Sequence, residues 1–441
     1  MTPVPSGLSE AASGLCIFSI LLIPFASAGL ALMNAGLSRS RNAAHTMLAS
    51  LVVVGVAAGA YFVSGFSWQA YPGLPSHVVE LGGRSWDWVG AERFLMRGLK
   101  LDGSPASLAA WLGMMSVGVA ALVPLGAGAE RWRLAACAAS TALFAGWTYP
   151  LVAHWVWGGG WLASLGSTNG LGRGYFDAGG SGTIHAVGGV TALAVAWILG
   201  PRRGKYTLDG TPSAMPGHNG VLVLLGCFAA WLGWLGLNSA GAILFAGSDP
   251  GVVALVGVNT SLSASSAGLA SLAVTRARFG KPDASLAPNG WVAGLVASSA
   301  GCPLFRPSAA ILIGAAAGAL VAETVPWFES KLYVDDPGGA VAVHGLGGLW
   351  GVVAVGLFGR FPSPPPPGAT GAPGQWLAQL VGVATLVGFV LPMTYGFNRL
   401  LDHFFPQRVP AEAERQGLDL YELGAGAYPE FMTHTDEFSQ R

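Results

Sequence analysis

The chain has 441 residues, of which 52% are apolar and only 10% are charged. A soluble domain usually carries about a quarter of charged residues, so this composition excludes an ordinary soluble protein and is typical of a chain whose solvent is lipid. Its 22 basic residues balance its 22 acidic ones, and this balance gives no indication of nucleic-acid binding or of an acidic substrate.

Eleven apolar segments follow one another along the chain, and most have the ~17–25 residues that a helix needs to cross a bilayer. The sequence therefore predicts an all-α fold, a polytopic membrane protein with eleven transmembrane helices in a domain over residues 1–402. A polar tail is expected over 403–441. The eighth segment is the weakest, because it runs into a Gly-Cys-Pro sequence at 301–303. The segments are 11–37, 44–68, 106–128, 133–157, 181–200, 221–246, 251–275, 287–304, 307–328, 338–359 and 375–401.

The distribution of Lys and Arg predicts the orientation. Fifteen of these residues fall in the loops and tail of one face and seven in the other, and four of the seven lie in the long loop 69–105. By the positive-inside rule the N-terminus lies outside and the tail in the cytoplasm. The Pro-rich stretch 363–367 then becomes a stiff connector in an outer loop. No basic stretch precedes the first apolar segment, so we expect a spanning helix rather than a cleaved signal, as suits a bacterial inner (plasma) membrane protein.

The chain contains an internal duplication, over about 10–200 and about 221–360. His185 follows Asp177 by eight residues, and His344 follows Asp336 by the same spacing, with a Gly-Gly pair shortly after each aspartate. Each half also has an asparagine near its beginning, Asn34 in the first half and Asn238 in the second. Because each half has five helices, an odd number, the second copy is inverted in the membrane, as in many transporters.

This spacing favours a functional interpretation of the two histidines. An aspartate at a helix start can cap free N–H groups, and eight residues further on is about 12 Å along a helix, close to the middle of the bilayer. Two polar side chains at matched depth are costly and rarely accidental. We therefore expect His185 and His344 to line a pore and to relay protons, although each could instead be a structural residue that bridges helices. We interpret Asp336 as a structural cap. Asp177, at the outer mouth, could in addition attract a cation.

At these residues the sequence resembles the Amt/Mep/Rh ammonium transporter family, in particular its Amt branch. The resemblance extends over nearly the whole chain. Its motifs lie at 35–43, 129–133, 154–160 and 334–338 with His344, and at the tail residues Gly417, Leu418, Asp419, Glu422, Gly424, Ala427 and Tyr428.

The resemblance implies a homotrimer with one pore in each subunit, which recruits ammonium at an outer vestibule and passes ammonia and a proton along the paired histidines. By matching positions, Trp157 is the aromatic wall that holds the cation, Asp177 supports the vestibule, and His185 and His344 line the pore. The cytoplasmic tail would couple the subunits and meet a PII-type regulator. Neither a cofactor nor an enzymatic activity is implied. The four separated cysteines show no metal-ligand spacing, and no nucleophile accompanies the histidines.

Several positions depart from the family pattern. Ser116 and Leu237 stand where the family stacks two phenylalanines as a gate, and Gly241 replaces the vestibule serine that accepts a hydrogen bond from ammonium. Met33 and Asn34 occupy aromatic positions at the inner mouth. We therefore expect weaker capture and a wetter pore, unless another side chain fills the gap. Three residues of the third helix are candidates, although ordinary packing is the simpler interpretation of them: Trp111, Met114 and Met115.

Three functions remain open on the sequence. The first is transport of ammonium or ammonia through an altered gate. The second is an ammonium receptor with little or no flux, although no output domain follows the eleventh helix in the 39 residues of the tail. The third is a neutral-gas channel for ammonia or carbon dioxide, which needs no strong recruitment of a cation.

Overall fold

The computed structural model describes residues 7–361 and 372–431. The Pro-rich stretch 363–367 and the last ten residues of the tail lie outside the described residues. Each of the eleven predicted segments is helical, and we number these helical segments α1 to α11. Their bounds are Glu10–Leu37 (α1), Ser40–Gln69 (α2), Pro105–Gly128 (α3), 134–157 (α4), Ser181–Leu199 (α5), Gly220–Leu244 (α6), Pro250–Phe279 (α7), Leu286–Ser299 (α8), Pro307–Leu332 (α9), Val341–Phe358 (α10) and Gly374–Phe404 (α11).

Within the described residues, nine of these segments are long and apolar enough to cross a membrane by length and composition alone. The other two are α4 and α8. In α4 a π-helical turn, Phe144–Thr148, separates two shorter α-helices. The helix α8 ends at Ser299, before the Gly-Cys-Pro sequence that marked it as the weakest segment. The polytopic helical fold is confirmed, and the count of eleven spans and their orientation stay predictions.

Among the described residues, the loop between α2 and α3 carries an element that is not helical. Strands Ser76–Leu81 and Arg84–Gly90 form an antiparallel hairpin in the loop between α2 and α3. Gly82 and Gly83 make its two-residue turn with positive φ at both positions, a conformation that glycine adopts without strain. The prediction of an all-α chain did not include this hairpin. Its polar and aromatic residues lie outside the apolar segments, so hydropathy gave no signal for it.

The hairpin is fastened to the end of α4. His154 is buried, and its Nδ1 lies 2.8 Å from the carbonyl oxygen of Gln69 and its Nε2 2.9 Å from Oδ1 of Asp87. The indole N–H of Trp155 donates to the carbonyl of Trp88 at 2.7 Å. These bonds fix the hairpin over the end of α4 that carries Trp157. We call this end of the helix bundle the hairpin end.

Corresponding helices of the two halves pack together through small residues. A Cβ on Gly29 of α1 would lie 2.4 Å from the nitrogen of Ala230 on α6, and a Cβ on Gly189 of α5 would lie 2.0 Å from the nitrogen of Gly345 on α10. Lipid gives no hydrophobic drive for helices to associate, so membrane helices rely on such close backbone contacts. The pairing of α1 with α6 and of α5 with α10 is what a two-fold relation between the halves produces.

The tail docks against the opposite end of the bundle, which we call the tail end. The Asp419 carboxylate accepts hydrogen bonds from the backbone N–H groups of Ala44 and His45 at 3.1 and 2.7 Å. The Glu422 carboxylate contacts Nε2 of His45 at 2.7 Å and accepts from the backbone N–H of Leu134 at 3.1 Å. The two carboxylates therefore hold the tail to the starts of α2 and α4. Burial acts to raise the pKa of Glu422, but these partners outweigh it and hold the pKa below its ordinary value.

A buried ion network lies at the same end. The Arg202 guanidinium forms hydrogen bonds of 2.8 and 2.9 Å with the Asp335 carboxylate, and a contact of 3.0 Å with Glu130. Arg131 donates to the backbone carbonyl of Asp335 at 2.7 Å. Although burial acts to raise the pKa of Asp335, the bonds from Arg202 and the charges of both arginines hold it well below its usual range. This network joins the end of α5 to the residues that precede α10.

Candidate functional site

The two predicted pore histidines meet in the core. His185 and His344 are 159 residues apart, and their Nδ1 atoms lie 3.4 Å from each other. Both side chains are buried, with 0% and 5% of the residue exposed. A neutral imidazole donates through one nitrogen and accepts through the other, so one Nδ1–H can donate to the facing Nδ1. The pair can therefore hold and exchange a proton between two halves of the chain.

Both histidines lie in the same local structure. His185 belongs to the π-helical turn Ser181–Ala186 at the start of α5, and His344 to the π-helical turn Val341–Leu346 at the start of α10. Such turns are rare and occur frequently at functional sites. The helices begin at Ser181 and Val341 rather than at the aspartates. The estimate of 12 Å assumed one continuous helix from aspartate to histidine, whereas the residues directly after each aspartate precede the helix.

Asp177 ties together the chain that precedes His185. Its carboxylate accepts hydrogen bonds from the N–H groups of Gly180, Gly182 and Thr183 and from the Thr183 hydroxyl, all between 2.8 and 2.9 Å. Its backbone carbonyl accepts from the Trp157 indole N–H at 2.6 Å. The residue is 3% exposed. Asp177 thus caps the start of α5 and positions Trp157, and its carboxylate is engaged within the protein.

Asp336 occupies the corresponding place before α10, with fewer bonds. Its Oδ2 accepts from the backbone N–H of Val341 at 2.7 Å.

Each aspartate motif is also packed by the asparagine of the other half. A Cβ on Gly179 would lie 2.3 Å from Oδ1 of Asn238, and one on Gly338 would lie 3.3 Å from Oδ1 of Asn34. The two halves therefore interlock at both ends of the histidine pair.

Trp234 of α6 is a site residue that the sequence analysis missed. Its ring lies flat against His185, with centroids 4.8 Å apart and planes 11° apart, and its centroid is 6.5 Å from that of His344. It is fully buried. Trp234 stands one helical turn before Asn238, on the same face of α6. This spacing from a residue already singled out was the available signal.

At the hairpin end, Trp157 is 4% exposed and its ring is stacked on that of Phe245. The centroids are 4.3 Å apart and the planes differ by 4°. Phe245 comes directly after α6 and was not identified from the sequence. The ring that faces Trp157 thus belongs neither to the third helix nor to the two positions where the family carries phenylalanine.

The three positions predicted to be altered at the gate and vestibule are all buried. Ser116 is fully buried near the Tyr149 hydroxyl, and Leu237 is 1% exposed in the apolar core. Gly241 packs on the chain beside Asp177, where a Cβ would lie 2.3 Å from the carbonyl oxygen of Ala178. A serine side chain therefore does not fit at Gly241 unless this backbone moves.

A small cavity adjoins His344 on the side of Met33 and Asn34. Its volume, counted as the space open to the centre of a water molecule, is about 20 Å³. This volume is enough for one water-sized molecule. Asn34 and Asn289 contribute its polar lining, and Asn34 donates to the carbonyl of Leu122 at 3.3 Å. Oδ1 of Asn289 has no hydrogen-bond partner among the described residues. Asn289 was also missed, because the eighth segment carries no motif that marks it.

Among residues 7–361 and 372–431, no group of three or more His, Cys, Asp or Glu side chains is placed to hold a metal ion. The groups described above are the paired imidazoles, the aromatic rings of Trp157, Trp234 and Phe245, and the amide of Asn289.

Comparisons with known proteins show which family the chain resembles. The sequence model of the Ammonium Transporter Family matches residues 14–428. The chain is 36% identical over 427 residues to ammonium transporter Amt2 of Archaeoglobus fulgidus, a match that covers 93% of this chain and 86% of the relative. It is 31% identical to the ammonium transporter of Bacillus subtilis, with 94% and 98% covered.

Two solved structures have a fold similar to that of this chain. The fold is similar to that of a protein described as Sensor Amt Protein, with a TM-score of 0.84 and 28% identity over 94% of this chain and 98% of that one. It is also similar to Mep2 of Candida albicans, with a TM-score of 0.79 and 24% identity over 98% and 93% of the two chains. This second likeness concerns the fold alone.

Proposed function

Since the chain belongs to the ammonium transporter family, we propose that it carries ammonium or ammonia across its membrane along a path lined by His185 and His344. The observation that carries this proposal is the contact of the two buried Nδ1 atoms at 3.4 Å. Each histidine comes from one half of the chain, and each lies in a π-helical turn at the start of its helix. Histidines inside a membrane carry an energetic cost, so a matched pair of them indicates a function.

The path begins at Trp157. An ammonium ion is attracted to the face of an aromatic ring by about 0.5–1 kcal/mol in water and by about 2 kcal/mol or more when desolvated. Ammonia then passes the buried region of Ser116 and Leu237 to reach the histidines. Ammonia both donates and accepts hydrogen bonds, so it can replace the direct contact between the imidazoles. The cavity next to His344 accepts it beyond this point.

The altered vestibule makes capture the weak step. Neither Ser116 nor Leu237 offers a π face, and Gly241 offers no hydroxyl. Trp157 is therefore the recruiting group at the hairpin end, and Asp177 acts by holding it in place. We expect a high half-saturation concentration together with a path that still conducts.

A flux assay tests the proposal. Purified protein is reconstituted in liposomes that contain a pH-sensitive dye, and ammonium is added outside. Entry of neutral ammonia alkalises the lumen and entry of the ammonium ion acidifies it, so the lumenal pH of the wild type should change at a rate different from that of protein-free liposomes. His185→Ala and His344→Ala should each change the rate, because each removes one half of the relay. Rates equal to those of empty liposomes would overturn the proposal.

A receptor is the second candidate, and one observation favours it: Trp157 is covered by Phe245 in this structure. A similar solved structure is described as a sensor. A receptor would bind ammonium without flux, whereas a transporter shows both. A neutral-gas channel, the third candidate, would pass ammonia without any current.

We also propose the setting in which this pore works. The hairpin end faces outside and the tail end faces the cytoplasm of a bacterium, across its plasma membrane. Residues 1–402 form the transmembrane domain and 403–441 the tail. The assembly is a homotrimer, and a PII-type regulator binds at the tail end. Native mass spectrometry of the purified protein, with and without such a regulator, tests the last two statements.

A further inference from the structure

The ring of Phe245 covers one face of Trp157, the residue that the proposed function takes as the recruiting group. The two rings are parallel to within 4° and their centroids are 4.3 Å apart. This is direct ring contact, so no ion fits between them. Trp157 is 4% exposed, whereas Phe245 is only half-buried. Phe245 therefore shields this face of Trp157 and is itself partly exposed.

The backbone of Phe245 is held while its ring projects from a helix end. The N–H of Phe245 donates to the carbonyl of Gly241 at 2.9 Å, and the Tyr71 hydroxyl donates to the carbonyl of Leu244 at 3.3 Å. Directly afterwards the chain turns at Gly247, which has a φ of +61°. Phe245 thus stands at the end of α6 with its backbone held and its side chain partly exposed.

We propose that Phe245 is the gate of the ammonium path, which must swing off Trp157 before the cation can bind there. This inference rests on the proposed function, because it takes Trp157 as the recruiting group. It places the gate one helical turn beyond Gly241. The positions of Ser116 and Leu237, which carry no aromatic ring, lie deeper in the core.

The gate sets the apparent affinity. Stacking stabilises an aromatic pair in addition to the effect of its buried area. This added stabilisation shifts an equilibrium by about 2- to 10-fold. The attraction of a cation to a ring is of similar strength, so ammonium competes with Phe245 for the same face of Trp157. The apparent affinity equals the intrinsic affinity multiplied by the fraction of molecules in which the gate is open. Phe245 thus raises the ammonium concentration at which the protein responds.

Removal of the ring tests this directly. Ammonium binding to detergent-purified protein is measured by isothermal titration calorimetry, and half-saturation of flux is measured in dye-loaded liposomes. Phe245→Ala should lower both constants for ammonium by about 2- to 10-fold, and methylammonium should gain at least as much. Phe245→Tyr keeps the ring and should resemble the wild type. Phe94→Ala removes another ring at the hairpin end, one that packs edge-on against Trp68, and should change neither constant.

Trp157→Ala separates failure of the gate from failure of the recruiting site. If Trp157→Ala weakens binding but Phe245→Ala leaves it unchanged or weaker, the gate is overturned and recruitment by Trp157 stands. If Trp157→Ala changes neither binding nor half-saturation, recruitment at this ring fails and the gate fails with it. Tighter binding in Phe245→Ala that disappears in the double variant with Trp157→Ala supports both.

Discussion

Gly189 of α5 packs directly on the backbone of Gly345 of α10, the residue that follows His344. A Cβ on Gly189 would lie 2.0 Å from the nitrogen of Gly345 and 2.7 Å from the carbonyl carbon of His344. Four residues earlier on α5 is His185. This contact between the two halves therefore sets how closely the two histidines approach each other.

Gly189→Ala should force α5 and α10 apart. Overpacking of this kind costs about 1–3 kcal/mol, so we expect a lower melting temperature in detergent together with reduced ammonium flux. Gly55→Ala on α2 is the matched control. Its Cβ would meet nothing within 4 Å, so it should be neutral or slightly stabilising. A Gly189→Ala protein that melts and conducts like the wild type would show that this contact does not position the histidines.

The two aspartates should differ in their contribution to stability. Asp177→Ala leaves three buried N–H groups and a hydroxyl without their acceptor. A buried polar group left unpaired lowers the stability of the fold by about 1–3 kcal/mol. Asp336→Ala removes the acceptor of the Val341 N–H, so we expect a smaller loss. Thermal unfolding of both variants in the same detergent measures the difference. If Asp177→Ala raised only the half-saturation concentration and left unfolding unchanged, Asp177 would act by attracting the cation and not as a cap.

Docking of the tail should depend on pH through Glu422. The pKa of this carboxyl is lower in the folded protein than its ordinary value of 4.5, so its ionised form favours docking. The contribution is complete above the ordinary value and is lost as the pH falls below it and through the folded value. Amide hydrogen exchange in residues 419–431, corrected for the intrinsic rate, should therefore rise in acid.

Two variants complete this measurement. Glu422→Gln should show fast exchange of the tail already at pH 7, and less change on acidification. Glu430→Gln alters an exposed residue of the same tail and should behave like the wild type. Equal exchange in Glu422→Gln and the wild type at pH 7 would show that Glu422 does not hold the tail.

The sequence was sufficient for the helices and for the histidine pair, because both depend on local patterns. Long apolar segments identify membrane helices, and the repeated Asp-to-His spacing identified His185 and His344 as equivalent. The fifth segment was predicted to begin at 181, where α5 begins, but the tenth was placed at 338, before the start of α10 at Val341. An aspartate can cap a helix from within a preceding turn, so the start of α10 was placed too early. The Asp177 carboxylate reaches N–H groups as far along the chain as Thr183.

The aromatic contacts could not be predicted, since they depend on how separate segments approach one another. The sequence shows that Ser116 and Leu237 are not aromatic, but not which ring comes to lie against Trp157. Phe245 reaches it because α6 ends beside α4, and Trp234 reaches His185 because α6 passes the start of α5. The attachment of the hairpin to α4 was missed for a similar reason. Asp87 and His154 are 67 residues apart, and their contact gives no local signal.

Current recorded on a solid-supported membrane tests the central claim most directly. Purified protein in liposomes receives an ammonium jump, and the wild type is compared with the double variant His185→Ala, His344→Ala. His77→Ala, which alters an exposed histidine of the hairpin, is the control. We predict a saturable transient current in the wild type and in the control, and its loss in the double variant. An equal current in the double variant, or no current in the wild type together with no ammonia flux in dye-loaded liposomes, would contradict transport along the histidine pair.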